Sequence, residues 1–208
     1  MTGFTASERA LFKKLSTPAK IQDFLDSLPF NYEKKGETSY SPLMVIREKK
    51  AHCLEGALLA YAALHEAGEK PLLMNLRTLP MDDDHAVVLY RRNGYWGALS
   101  KTNHAVLRFR DPIYSSVREL AASYFHEYFM NASGLKTLRA YSKPMSLSRF
   151  GTTWIESEEP LWHIAHALRD APHLPLVPEE NRKYLRHASK IERDAGHIVE
   201  WQRHNGKT

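Results

Sequence analysis

With one cysteine in 208 residues, the chain has no partner for an intramolecular disulfide, which excludes a bridged secreted scaffold. A lone thiol fits a reducing compartment, and a cytoplasmic location is the expectation. Long apolar runs are missing as well. No stretch approaches the roughly 18 to 20 apolar residues that span a bilayer. The opening MTGFTASERALFKKL lacks the apolar core of a secretory signal, so neither a membrane anchor nor export is expected. Ten glycines and eleven prolines leave no room for a fibrous or low-complexity chain.

Charge of one sign is scarce too. Lys and Arg number 29 and Asp and Glu 24, a net charge of +5, with no long basic run. The last segment carries Arg182, Lys183, Arg186, Lys190, Arg193 and Arg203, but Glu179, Glu180, Glu192, Asp194 and Glu200 interleave with them. Mixed charge of this kind is the pattern of a solvated helix face. It argues against nucleic acid as a partner.

What remains is an ordinary globular composition, 43% hydrophobic and 25% charged, in a length that suits one domain with a core of its own. Helices are expected over Ser7 to Leu15 and Pro18 to Leu28, the second capped by Thr17 and stopped by Pro29. Residues 30–45 read as a polar loop. The strongest helix covers residues 53–67, rich in Ala and Leu, apolar nearly all round and ended by Gly68, as suits a helix buried between layers. Strands are expected at Leu72 to Leu76, at HAVVLYRR from His85, on the return run YWGALSK after the Asn93-Gly94 hairpin signal, and at Ala105 to Arg110. Helical patterning resumes from Ser115, around Pro160 to Arg169, and from Pro178 to Trp201, with turn-rich chain over 131–152. The order predicts an α+β fold: a core over residues 1–130, with a small antiparallel sheet packed on the buried cysteine-bearing helix, and additional C-terminal helices over 131–208 packed on it as one domain.

A lone cysteine is most often a small core hydrophobe, so its neighbours decide. Cys53 opens the buried helix, where unpaired backbone N–H groups and the positive end of the helix dipole favour a thiolate by about 0.3–1 kcal/mol. Lys49, Lys50 and His52 precede it. This is the setting of a nucleophilic thiol. A nucleophile needs a base, and His85 stands at the start of a strand after three aspartates, placed to cross the helix start.

These two segments resemble the transglutaminase-like (papain-like) superfamily. AHCLEGALLAYAALHEAGEKPLLMNL is similar to its cysteine motif, and DDDHAVVLYRRNGYWGALS to its second motif of a histidine opening a strand, a hairpin and a Trp on the return strand. The resemblance covers roughly residues 40–112. It implies a Cys–His–Asp acyl-transfer enzyme with Cys53 as nucleophile and His85 as general base, acting on a peptide, amide or ester and needing no cofactor or metal. The family's third residue, an Asp on the return strand, has no counterpart in Trp96 to Lys101. Hairpin register sets His85 opposite Thr102 with Ser100 as its diagonal neighbour. Asn103 could orient the ring as Asn does in papain-like enzymes, although ideal alternation points it away. Asp111, followed by Pro112, has the right chemistry one strand later. The leading expectation is a cysteine-dependent amidase, peptidase or acyltransferase. A catalytically inactive peptide- or protein-binding module is the rival, and nucleic-acid binding stands third.

Other polar residues have plainer readings. Glu55 suits the first turn of the helix. His163 and His166, three apart, lack a third ligand. His187, His197 and His204 read as surface, and Tyr124, Phe125, Tyr128 and Phe129 as a core stripe. Asp82, Asp83 and Asp84 lack the spacing and glycine of an EF-hand.

Overall fold

The computed structural model describes residues 3–201. The first two helices form where their caps predict: α1 (Ala6–Lys14) behind Thr5, and α2 (Pro18–Ser27) behind Thr17 with Pro18 in its first turn. The stretch expected as loop up to residue 45 holds a third, α3 (Pro42–Glu48), capped by Ser41. Ser41-Pro42 repeats the start signal of Thr17-Pro18, and the polar residues before it obscured the short apolar turn that follows.

The central helix α4 (Cys53–Glu66) buries every residue from Glu55 to Leu64. It packs on an antiparallel sheet of β1 (Leu72–Arg77), β2 (His85–Arg92) and β3 (Tyr95–Ser100). Asn93 and Gly94 both take positive φ, 49° and 90°, which sets the two-residue turn and pairs Arg92 with Tyr95 and Val87 with Ser100. β2 divides its side chains by the period of two. Ala86, Val88 and Tyr90 join the core around α4, whereas Val87 and Leu89 face a second core with Leu120, Tyr124 and Tyr128.

The next strand differs from expectation. β4 is Arg110–Tyr114, and residues 101–109 form a loop in which Leu107 takes a φ of 62°. Pro112 is accommodated because β4 is an edge strand. Helix α5 (Val117–Ser123) stops well short of the run expected there. Two strands arise in the part expected as a helical extension, β5 (Ala140–Ser142) and β6 (His173–Pro175), and among the described residues the sheet has the order β4-β3-β2-β1-β5-β6. The chain beyond residue 130 is therefore woven into the core sheet.

Helix α6 (Trp162–Arg169) forms as expected, but the long helix from 178 to 201 does not. A 3-10 turn over Glu179–Tyr184 is followed by α7 (Lys190–Gly196), which Ser189 caps with Glu192. That segment has no continuous apolar stripe to hold a long helix against the core. Gly196 lies so close to Asn131 that an added Cβ would stand 2.2 Å from its Oδ1. Beyond it the chain runs out along residues 103–105. The continuous basic helix on which nucleic-acid binding would depend is absent from the described residues, and Arg203 and His204 lie outside them. No helix of the described residues is long and apolar enough to cross a membrane.

Candidate functional site

Cys53 is the first residue of α4, half-buried, at the wall of a cavity of about 890 Å³. Two histidines serve its thiol. His52, the residue before it, caps the helix by accepting the Leu54 N–H at Nδ1 (3.2 Å), with Nε2 3.2 Å from the carbonyl of Thr38. His85 approaches from the start of β2 and is buried. Burial opposes ionisation of the thiol, but hydrogen bonds and charge from His52 and His85 outweigh it and bring Cys53 down to about 5. The same exchange acts on His52: burial lowers its pKa, while the Cys53 thiolate, Glu55 and Thr38 raise it to about 9. The cap works against that pull, because Nδ1 cannot accept the Leu54 N–H and carry a proton at once.

Glu55 is held in a cage. Its carboxylate is fully buried and accepts from Asn31 Nδ2 (3.0 Å), Thr38 Oγ1 (2.7 Å), the Tyr40 N–H (3.1 Å) and the His52 N–H (2.9 Å). The last bond completes a capping box around the residue before the thiol. Glu55 thus fixes the entry to α4 and places a carboxylate oxygen 3.4 Å from His52 Nε2.

The ring of His85 is oriented by Ser100. Its Nε2 lies 2.6 Å from Ser100 Oγ, which in turn lies 2.6 Å from the carbonyl of Leu107. A carbonyl only accepts, so the single hydroxyl proton goes to Leu107 and the hydroxyl oxygen accepts from His85 Nε2–H. That fixes the tautomer and leaves Nδ1 for Cys53. Ser100 is itself clamped: Gln22 donates from Nε2 to its carbonyl (2.9 Å) and accepts its N–H at Oε1 (3.1 Å). Leu107 pays for its carbonyl's direction with the positive φ, and the Glu127 carboxylate accepts its N–H at 2.7 Å.

Asn103 and Asp111 are elsewhere. Asn103 is buried but donates to the Tyr32 hydroxyl (2.5 Å) and the Trp201 carbonyl (3.0 Å), and accepts the Trp201 N–H (2.8 Å). Asp111 is exposed on the edge strand β4. The residue against His85 is Ser100, the diagonal neighbour that the hairpin register specifies. Sequence reasoning took His52 only as a source of positive potential and passed over Gln22. A polar residue beside Ile21 on the apolar stripe of α2 was the available signal for Gln22.

Asp82, Asp83 and Asp84 line the cavity. Asp84 accepts from Thr78 and Asn75, and Asp82 from Thr137 and the Asp83 N–H, so these two build the turn that leads into β2. Among the described residues, no group of three or more His, Cys, Asp or Glu is arranged to hold a metal ion. His163 packs edge-on against Phe150 at 5.5 Å on the outside of α6. Tyr124 and Tyr128 belong to the second core, where Tyr128 donates to the Asp83 carbonyl at 2.6 Å.

Fold and site together define an α+β protein in which a thiol at a helix start meets a strand histidine held by a serine. No family model matches the chain, and no curated protein sequence matches it. Among solved structures, Legionella pneumophila LapG is similar at a TM-score of 0.39 and 13% identity, over 52% of this chain and 71% of LapG. Calcium-bound LapG gives 0.37 and 15% over 53% and 63%, and EGTA-treated LapG 0.40 and 14% over 72% and 88%. Likeness of this size carries no argument about chemistry.

Proposed function

We propose that the protein is a cysteine-dependent hydrolase of the transglutaminase-like kind, acting on an amide or ester carbonyl of a peptide substrate. The observation that carries this reading is the thiol of Cys53 at the start of α4, lowered to about 5 between His52 and His85. The Cys53 thiolate attacks the carbonyl carbon. The oxyanion that forms is met at the helix start by the Cys53 N–H, which among the described residues has no other hydrogen bond. His85, protonated at Nδ1, gives that proton to the leaving nitrogen or oxygen as its bond to carbon breaks. Water then attacks the thioester, His85 Nδ1 takes its proton, and the carboxylic acid and the thiolate are released. Throughout, Ser100 keeps the other ring proton on Nε2. We assign Cys53 as nucleophile, His85 as acid and base, and Ser100 as the positioning residue, in place of Asn103 or Asp111.

A neutral hydroxyl in place of a carboxylate also favours a second reading, a peptide-binding module without turnover. Alkylation of Cys53 by iodoacetamide against pH, read by intact mass, separates the two. Labelling that is fast below pH 7 and lost in His85→Ala supports the enzyme. Labelling that rises only near the ordinary thiol pKa of about 8.5, unchanged by the substitution, overturns it.

A further inference from the structure

The last described segment of the chain is laid across one wall of the Cys53 cavity in the manner of a bound peptide. Ile198 to Trp201 runs antiparallel to Asn103 to Ala105, with Val199 opposite His104. The Ala105 N–H donates to the Ile198 carbonyl at 3.1 Å, and the Glu200 N–H to the Asn103 carbonyl at 2.9 Å. The Asn103 side chain extends the pairing. Its amide accepts the Trp201 N–H and donates to the Trp201 carbonyl, as a facing strand would, and the Tyr32 hydroxyl adds a third bond to that residue. Val199 and Trp201 line the same cavity as Cys53 and His85.

These bonds are sequence-independent on the side of the strap: all five end on its backbone N–H or C=O groups, which any extended polypeptide supplies. The side chains alternate: Ile198 is exposed and Glu200 meets Arg108 in a partly exposed ion pair, whereas Val199 and Trp201 are half-buried toward the cavity. An edge that pairs with backbone, carries a buried amide at Asn103 and sits beside a thiol has the properties of a strand-addition site. We propose that Asn103 to Ala105, with the Tyr32 hydroxyl, is a binding edge for an extended polypeptide next to Cys53, and that the chain's own Ile198 to Trp201 holds it in cis as a self-inhibitory strap. The inference deepens the hydrolase reading, on which its inhibitory sense rests. It also gives Asn103, a buried amide that His85 does not use, a function in recognition.

The test compares a small with a bulky alkylating reagent, iodoacetamide and its fluorescein conjugate, on the full chain, on a chain ending at Gly196, and on Asn103→Ala. If the strap is open for about a tenth of the time, freeing it speeds the bulky reagent about tenfold, in proportion to the competent fraction. Iodoacetamide changes much less. A capped synthetic peptide of residues 197–201, supplied at about millimolar to match a tethered segment, restores slow bulky labelling of the shortened chain and binds it in a fluorescence anisotropy titration. An unchanged bulky rate in both variants, or a peptide that neither binds nor protects, overturns the proposal. Asn103→Ala keeps the chain complete, so it still decides if the shortened chain does not fold. If His85→Ala leaves labelling by both reagents unaffected, the hydrolase reading has failed, and the anisotropy titration scores the binding edge by itself.

Discussion

His85 Nε2 stands 2.6 Å from Ser100 Oγ, and that hydroxyl gives its own proton to the Leu107 carbonyl. The imidazole is thereby held in one tautomer by a neutral chain that ends on the backbone. A carboxylate would also stabilise the imidazolium by charge, and a hydroxyl supplies orientation alone.

Ser100→Ala should therefore leave a buried Nε2–H without its acceptor and slow Cys53 alkylation at pH 7 by about tenfold, the size of one hydrogen bond to a charged ring. Ser100→Asp should not improve on the wild type. A carboxylate has no proton for the Leu107 carbonyl, so two acceptors would face each other in a buried place, and thermal unfolding should come earlier. Faster alkylation in Ser100→Asp would show that charge, rather than the tautomer, is what the site lacks.

His52 has two duties that substitution can separate. Asn is a strong N-cap and Ala is not, so His52→Asn should keep the stability of α4, whereas His52→Ala should lose about 1 kcal/mol. Both remove a partner that lowers the thiol, so both should raise the pH of half-maximal alkylation above about 5. Equal thermal stability of the two variants would mean that the cap contributes little.

Stability should depend on pH through the same pair. The folded-state pKa of Cys53 is depressed to about 5, so the thiolate's contribution is fully present above the ordinary thiol range and lost as pH falls through 5. That of His52 is raised to about 9, so its contribution is fully present below 6.5 and lost as pH rises through 9. Summed, the two contributions make the melting temperature rise between about pH 5 and 6.5 and stay level from 6.5 to 9, where the gain at Cys53 offsets the loss at His52. In Cys53→Ala the rise from pH 5 should vanish, and any loss at His52 above pH 6.5 should no longer be offset. Parallel pH profiles for the two proteins would contradict the coupling.

Glu55→Gln should destabilise the fold by about 1–3 kcal/mol. Four donors converge on the carboxylate, and an amide brings two hydrogens into a cage built for an acceptor. The pKa of His52 should fall as well, since Glu55 is among the groups that raise it. Imidazole titration by NMR, with urea unfolding, would read both effects.

Much of the site's first layer was legible in the sequence because it rests on short-range rules. A thiol at a helix start and a hairpin of fixed register are properties of a few adjacent residues, and the register carries Ser100 to His85 across two strands. The supports were not legible. Gln22 reaches Ser100 from 78 positions away, and β5 and β6 are three-residue strands too short to leave a period of two. The helix expected from 178 to 201 had length and charge but no apolar stripe, and the structure spends that chain on a turn, a short helix and the strap. The resemblance to the transglutaminase-like superfamily directed attention to an acid on the return strand, whereas the local pairing pointed to a hydroxyl.

An added Cβ at Gly56 would stand 2.4 Å from Cβ of Lys101, so α4 lies directly against the residue that follows Ser100. The helix bearing the thiol is wedged at the centre of the molecule, while the cavity walls come from loops around residues 30–33, 82–84, 101–107 and 127–131 and from the strap. Those loops are more than a rim: Leu107 directs Ser100, Glu127 holds Leu107, and Asn31 reaches Glu55. A substitution in the cavity wall therefore acts on the setting of the thiol as well as on the shape of the cavity.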